Sequence, residues 1–195
     1  MNTDVEVLVN ENAVARRTVP TDTGLLGVYL NDHLAGATAG LELARRMART
    51  HRATPVGAAL DGLAHDLESE REALLEIMAH LDVTVRHYKV YGAWILERLG
   101  RAKLNGRLLT RSPLSSLLEF EVLRLGVEGK AALWRTIWVL TADRDDSMTI
   151  RLSALLTAAQ EQAELLEKLR MRAVDDAFVH GSASAGSRTA TEHRP

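Results

Sequence analysis

Two polar side chains fall where helical spacing calls for leucine, and they are the first candidates for chemistry. His33 stands three residues after Leu30 and seven after Leu26, and Glu70 stands three after Leu67 and four before Leu74. Residues three, four and seven apart share one face of a helix, so both belong to apolar, core-facing stripes. A carboxylate buried without a partner is costly. If the chain turns at 51–54, the two side chains lie within about one helical turn of each other. The sequence therefore predicts a His33–Glu70 hydrogen bond, with His33 protonated more readily than in water. As a structural pair it fixes the register of a hairpin; the alternative is a ligand or metal site. Glu121 (seven after Leu114, four before Leu125) and Gln162 (seven after Leu155, four before Leu166) repeat the pattern, and they should face each other in a second hairpin.

Other charged groups suggest less specific chemistry. Arg98, Arg101, Lys103, Arg107 and Arg111 make a basic stretch that could hold an anionic partner, or could cap a helix and pair with carboxylates. Glu161, Glu164 and Glu167 read as a solvated helix edge, as do Glu68, Glu72 and Glu76 with Arg71 beside them. Trp94, Trp134 and Trp138 read as packing groups, because no basic stripe surrounds them. Cysteine is absent, which removes thiolate metal sites, disulfides and cysteine nucleophiles together. No phosphate-binding loop, dinucleotide glycine pattern or serine-histidine-acid order is present. With a formal charge of −2 there is no overall positive field for nucleic acid. No apolar run is long enough to span a membrane and no secretory leader pattern opens the chain, so the cytoplasm is the expected location.

These side chains need helices to position them, and the punctuation supplies five. The first starts after the Thr21-Asp22-Thr23 cluster and runs to about residue 50, with Leu26, Leu30, Leu34, Ala37, Leu41 and Ala44 as its stripe. Thr54-Pro55, a cap followed by a first-turn proline, opens the second, which Asp82-Val83-Thr84 breaks. A shorter helix covers about 85–103 and carries Tyr88, Tyr91, Trp94, Ile95 and Leu99. Ser112-Pro113 repeats the cap-plus-proline signal for a helix to about 141, and a last one runs from about 148 to 178. Residues 1–21 read as a flexible arm, 22–179 as one helical domain and 180–195 as a disordered tail. The two short links make antiparallel hairpins, and 84–112 must then cross from one end of the bundle to the other.

The segments YLNDHLAGATAGLELARRMA and LAHDLESEREALLEIMAHLDV resemble the first hairpin of the ferritin-like superfamily. That resemblance implies an all-α, antiparallel four-helix bundle with an additional helix in the long crossover between its hairpins. It also implies a metal site, built from a glutamate on each of two helices and a Glu-x-x-His pair on each of the other two. Three residues before each of the seven histidines stand Leu30, Ala48, Gly62, Ile77, Thr84, Ala177 and Ala190, so no Glu-x-x-His exists. Mid-length on the first helix, where such families place a ligand carboxylate, the chain has Gly36, Ala37 and Gly40, read here as close helix packing. Ferritin-like topology would also bring Glu128 near the level of His33 and Glu70.

The leading expectation is a non-catalytic ferritin-like bundle, homodimeric and acting through protein contacts without a cofactor. Two alternatives stay open. One is a degenerate metal protein or oxidoreductase holding iron or manganese on His33, Glu70, Glu128 and Glu121. The other is a binding module for an anionic partner through residues 98–111.

Overall fold

A computed structural model describes residues 23–86, 113–141 and 146–180 of the 195-residue chain. Four long helices account for nearly all of them: α1 (Thr23–His51), α2 (Pro55–His80), α3 (Pro113–Thr141) and α4 (Asp146–Val174), with a π-helical turn at Asp175–His180 extending α4. The boundaries follow local chemistry. Thr54 is extended (φ −131°, ψ 159°), and its hydroxyl accepts from the Gly57 N–H at the start of α2, beside the first-turn proline. Gly57 is required there, because a Cβ would stand 2.3 Å from the His51 carbonyl oxygen. At the far end of α2, Asp82 takes the left-handed conformation (φ 55°). Its N–H donates to Ala79 O, and Val83 N–H donates to Met78 O at 2.9 Å. That is a Schellman termination with aspartate in the usual glycine place, and Val83 turns back into the core.

Side-chain pairs between helices give their directions. Thr38 of α1 accepts from Arg71 of α2, while Arg45 reaches back to Glu68, so these helices are antiparallel. Tyr29–Thr136 and Arg46–Glu119 make α1 and α3 antiparallel. Arg124–Glu167 and Glu121–Arg170 do the same for α3 and α4, and Glu70–Gln162 and Glu76–Arg151 for α2 and α4. It follows that α2 and α3, consecutive along the chain, run in the same direction, so His80 and Pro113 lie at opposite ends of the bundle. Of the helix expected at 85–103, residues 85 and 86 are described and are not helical, and the rest lies outside the described residues with the arm at 1–21; of the tail expected at 180–195, His180 ends the π-helical turn and the rest lies outside them.

The apolar core comes in two pieces. Leu41, Met47, Leu60, Leu117, Phe120 and Leu166 belong to the cluster at the α1–α2 turn, and Leu30, Leu74, Ile77, Trp134, Ile137 and Leu152 to the one at the opposite end. Asn31, buried on α1, ties the chain leaving α2 to the second cluster. Its amide donates to Gly27 O (2.7 Å) and Thr84 O (3.0 Å), and its carbonyl oxygen accepts from Arg86 N–H (2.6 Å). Among the described residues no helix is long and apolar enough to cross a membrane.

Candidate functional site: a polar layer and a cavity at mid-bundle

Between the two clusters the helical stripes bring polar residues inward. Glu70 on α2 and Gln162 on α4 are both buried, as their spacing among leucines requires. The third member of the layer is Lys130 on α3, three residues after Val127 and four before Trp134, on the same core-facing stripe. Lys130 Nζ donates to Glu70 Oε2 and to Gln162 Oε1, and Gln162 Nε2 closes the ring by donating to Glu70 Oε1 at 3.0 Å. Both oxygens of the carboxylate are engaged, and the pair is 7% and 12% exposed. Burial pushes the Lys130 ammonium below its ordinary pKa, and the Glu70 carboxylate and the more distant Asp66 push it back up.

The expected partnership of His33 with Glu70 is not formed. The contacts of Thr38 and Arg45 put the α1 position level with Glu70 near residue 40, about two turns from His33. His33 instead sets its ring edge-on to Tyr29, with centroids 4.5 Å apart. Its pKa is lowered, because desolvation outweighs the attraction of Asp32, so it is protonated less readily than in water, the reverse of the sequence expectation. Glu121 does not face Gln162 either. It lies 3.7 Å from Arg170 on the flank of the α3–α4 hairpin, one element of a register that pairs Gln162 with Lys130. Glu128, two residues before Lys130, points to the other side of α3, where it is exposed and borders a shallow groove with Arg124, Arg135, Glu164 and Lys168. His33, Glu70, Glu121 and Glu128 are thus not brought together, and no group of three or more histidines and carboxylates suited to a metal ion occurs among the described residues. Arg98, Arg101, Lys103, Arg107 and Arg111 lie outside the described residues.

The acidic runs behave as helix edges. Glu161, Glu164 and Glu72 are exposed, Glu68 pairs with Arg45 at 2.6 Å, Glu76 pairs with Arg151, and Glu167 with Arg170 at 2.7 Å. Trp134 is core, and Trp138 packs beside it.

Next to the polar layer, among α1, α2 and α3, is a half-open pocket of about 460 Å³. Gly36 and Gly40 border it from α1, Gly126 and Gly129 from α3. A Cβ added at any of these four would meet no atom within 4 Å. Gly36 and Gly40 therefore do not mediate the close helix packing that their spacing suggested; they leave space. His33, Lys130, Glu70 and Trp134 also line this space, so His33 and Glu70 share a cavity without touching. Lys130 was legible from its position in the Val127–Trp134 stripe, yet a search for metal-binding residue types passes over lysine. The cavity has no sequence signature beyond its glycines. No protein-family model, no curated protein and no solved structure matches this chain.

Proposed function

We propose that this chain is a non-catalytic helical bundle of ferritin-like type in which a lysine ammonium takes the place of bridging metal ions, and that it acts through contacts with other proteins, first of all a second copy of itself. The observation that carries the proposal is Lys130 Nζ, seated between Glu70 and Gln162 in the middle layer. The ferritin-like comparison draws support from the shared direction of α2 and α3, since bundles of that type join two antiparallel hairpins by one long crossover. In their metal-bearing members, carboxylates and histidines from facing helices converge on cations. Here the residues do not fit such a group. Among the described residues Glu70 is the single carboxylate of the layer and no histidine bonds to it, and an approaching cation would meet the ammonium that already neutralises it.

A dimer draws support from large apolar side chains left on the outside, with Leu125, Val139 and Ile150 each more than 70% exposed. Elemental analysis of protein produced with added iron and manganese, with melting curves in each metal, tests the first half. We expect far less than one metal per chain and unchanged melting; stoichiometric metal overturns it. Light scattering across a dilution series tests the second half, with a dimer mass expected and a monomer at every concentration contradicting it.

A further inference from the structure

The chain between α2 and α3 is fixed at both ends, and both ends are tied to α1. At the start, Asn31 of α1 donates to Thr84 O and accepts from Arg86 N–H, which holds the chain leaving α2 against α1. At the finish, Pro113 opens α3 at the opposite end of the bundle, and Glu119 in its second turn pairs with Arg46 of α1 at 3.1 Å. Residues 87–112 therefore travel between two places along α1. Asn31 and Arg46 lie about 22 Å apart on the helix axis, and a helix over 87–103 would span about 25 Å. Residues 104–112 remain to reach Pro113.

The surface of α1 between those places is unusual for an outer helix. No residue from Leu34 to Leu41 carries a charge, on any side. A helix that lacks a charged face belongs inside a fold. Val28, Ala35 and Ala39 share the side turned away from the core residues Leu30, Leu41 and Ala44. Val28 is 44% exposed, and the two alanines are half-buried. Asn31 stands one turn before Ala35, and Arg46 two turns after Ala39.

The sequence of the connecting segment matches this strip. Tyr88, Tyr91, Ile95 and Leu99 repeat at spacings of three and four, a stripe of large apolar groups to set against alanines. Lys89 and Arg98 flank that stripe, nine residues apart. Asp32 and Glu42 flank the alanines, ten residues apart. Opposite charges at nearly equal spacing favour a course parallel to α1.

We propose that residues 87–103 lie across the outward face of α1 as a fifth helix, with Tyr88, Tyr91, Ile95 and Leu99 packed over Ala35 and Ala39. The occupant of this face is then the chain itself, and α1 becomes an inner helix that is closed to other partners. The placement does not rest on whether the bundle dimerises or excludes metal.

Cysteine is absent from the chain, so introduced cysteines have no competitors. In the full-length protein, Ala39→Cys is combined in turn with a cysteine in place of each residue from Val90 to Arg98, and each pair is oxidised at low concentration. Disulfides need Cα atoms within about 7 Å, so pairs at Tyr91 and Ile95 should close within one chain with about fivefold higher yield than pairs at Ala93 and Glu97. Glu161→Cys, exposed on α4 beside Gln162, is the matched control and should give the low yield throughout. Ala35→Arg places a charge beneath the segment and should lower the yield of the Ala39→Cys, Ile95→Cys pair about fivefold. An even yield along the segment, an equal yield with Glu161→Cys, or no effect of Ala35→Arg overturns the placement. Disulfides that join two chains instead of closing within one would assign the face to a second copy, and overturn it as well.

Discussion

The two sides of the middle layer are made of opposite materials. Toward α2, α3 and α4 the interior is closed by Glu70, Lys130 and Gln162, which satisfy one another. Toward α1, at the same height, Gly36, Gly40, Gly126 and Gly129 border a half-open pocket. A polar group brought inside obliges the fold to supply partners, because an unpaired charge is far more costly than a paired one. Empty space imposes no such obligation and costs only lost packing and helix propensity. The closed side should therefore fail abruptly when one member is removed, and the open side should tolerate filling.

The largest expected effect tests the closed side. Lys130→Met leaves Glu70 buried without its cation and should cost about 3–5 kcal/mol in urea denaturation. Combining it with Glu70→Leu should recover most of that loss, since a buried pair exchanged for apolar groups of similar volume is often neutral. A double variant as unstable as the single one would break the comparison. The apolar ends supply the reference: Leu60, fully buried in the turn-end cluster, should cost about 2–5 kcal/mol as Leu60→Ala, with no rescue by any charge change. On the open side the sign reverses. Gly36→Ala and Gly126→Ala should each stabilise by about 0.5–1 kcal/mol, read as a higher urea midpoint at constant slope.

The smallest effect belongs to His33, which is half-buried. Its folded pKa lies below that of a free imidazole through desolvation, so the unfolded chain takes up the proton first as pH falls. Stability should be full above about 6.5 and decline as pH drops from there through the folded pKa. His33→Gln should flatten that slope. A slope of opposite sign would restore the His33–Glu70 bond that the structure replaces.

Much of the fold is legible in the residues. Thr54-Pro55 and Ser112-Pro113 mark the starts of α2 and α3, and the leucine stripes give the core faces. Glu70 and Gln162 announce themselves as buried because they interrupt those stripes. Their partners are less legible. Helical spacing gives a residue's face but not its height against a neighbouring helix, and an offset of about two turns exchanged His33 for Lys130. For the same reason Glu121 meets Arg170 rather than Gln162. The cavity is illegible for another cause: Gly36 and Gly40 permit either close packing or a void, and only the position of the facing helix decides which.

The central claim is that a buried ammonium completes the interior, and nitrogen-15 NMR of the lysine side chains tests it directly. The chain has four lysines, Lys89, Lys103, Lys130 and Lys168, so assignment by substitution is straightforward. At neutral pH the Lys130 ammonium should give a signal protected from exchange with water, lost in Lys130→Arg and displaced in Glu70→Gln. If the Lys130 ammonium exchanges as fast as an exposed lysine and ignores Glu70→Gln, the middle of this bundle is not held in the way described.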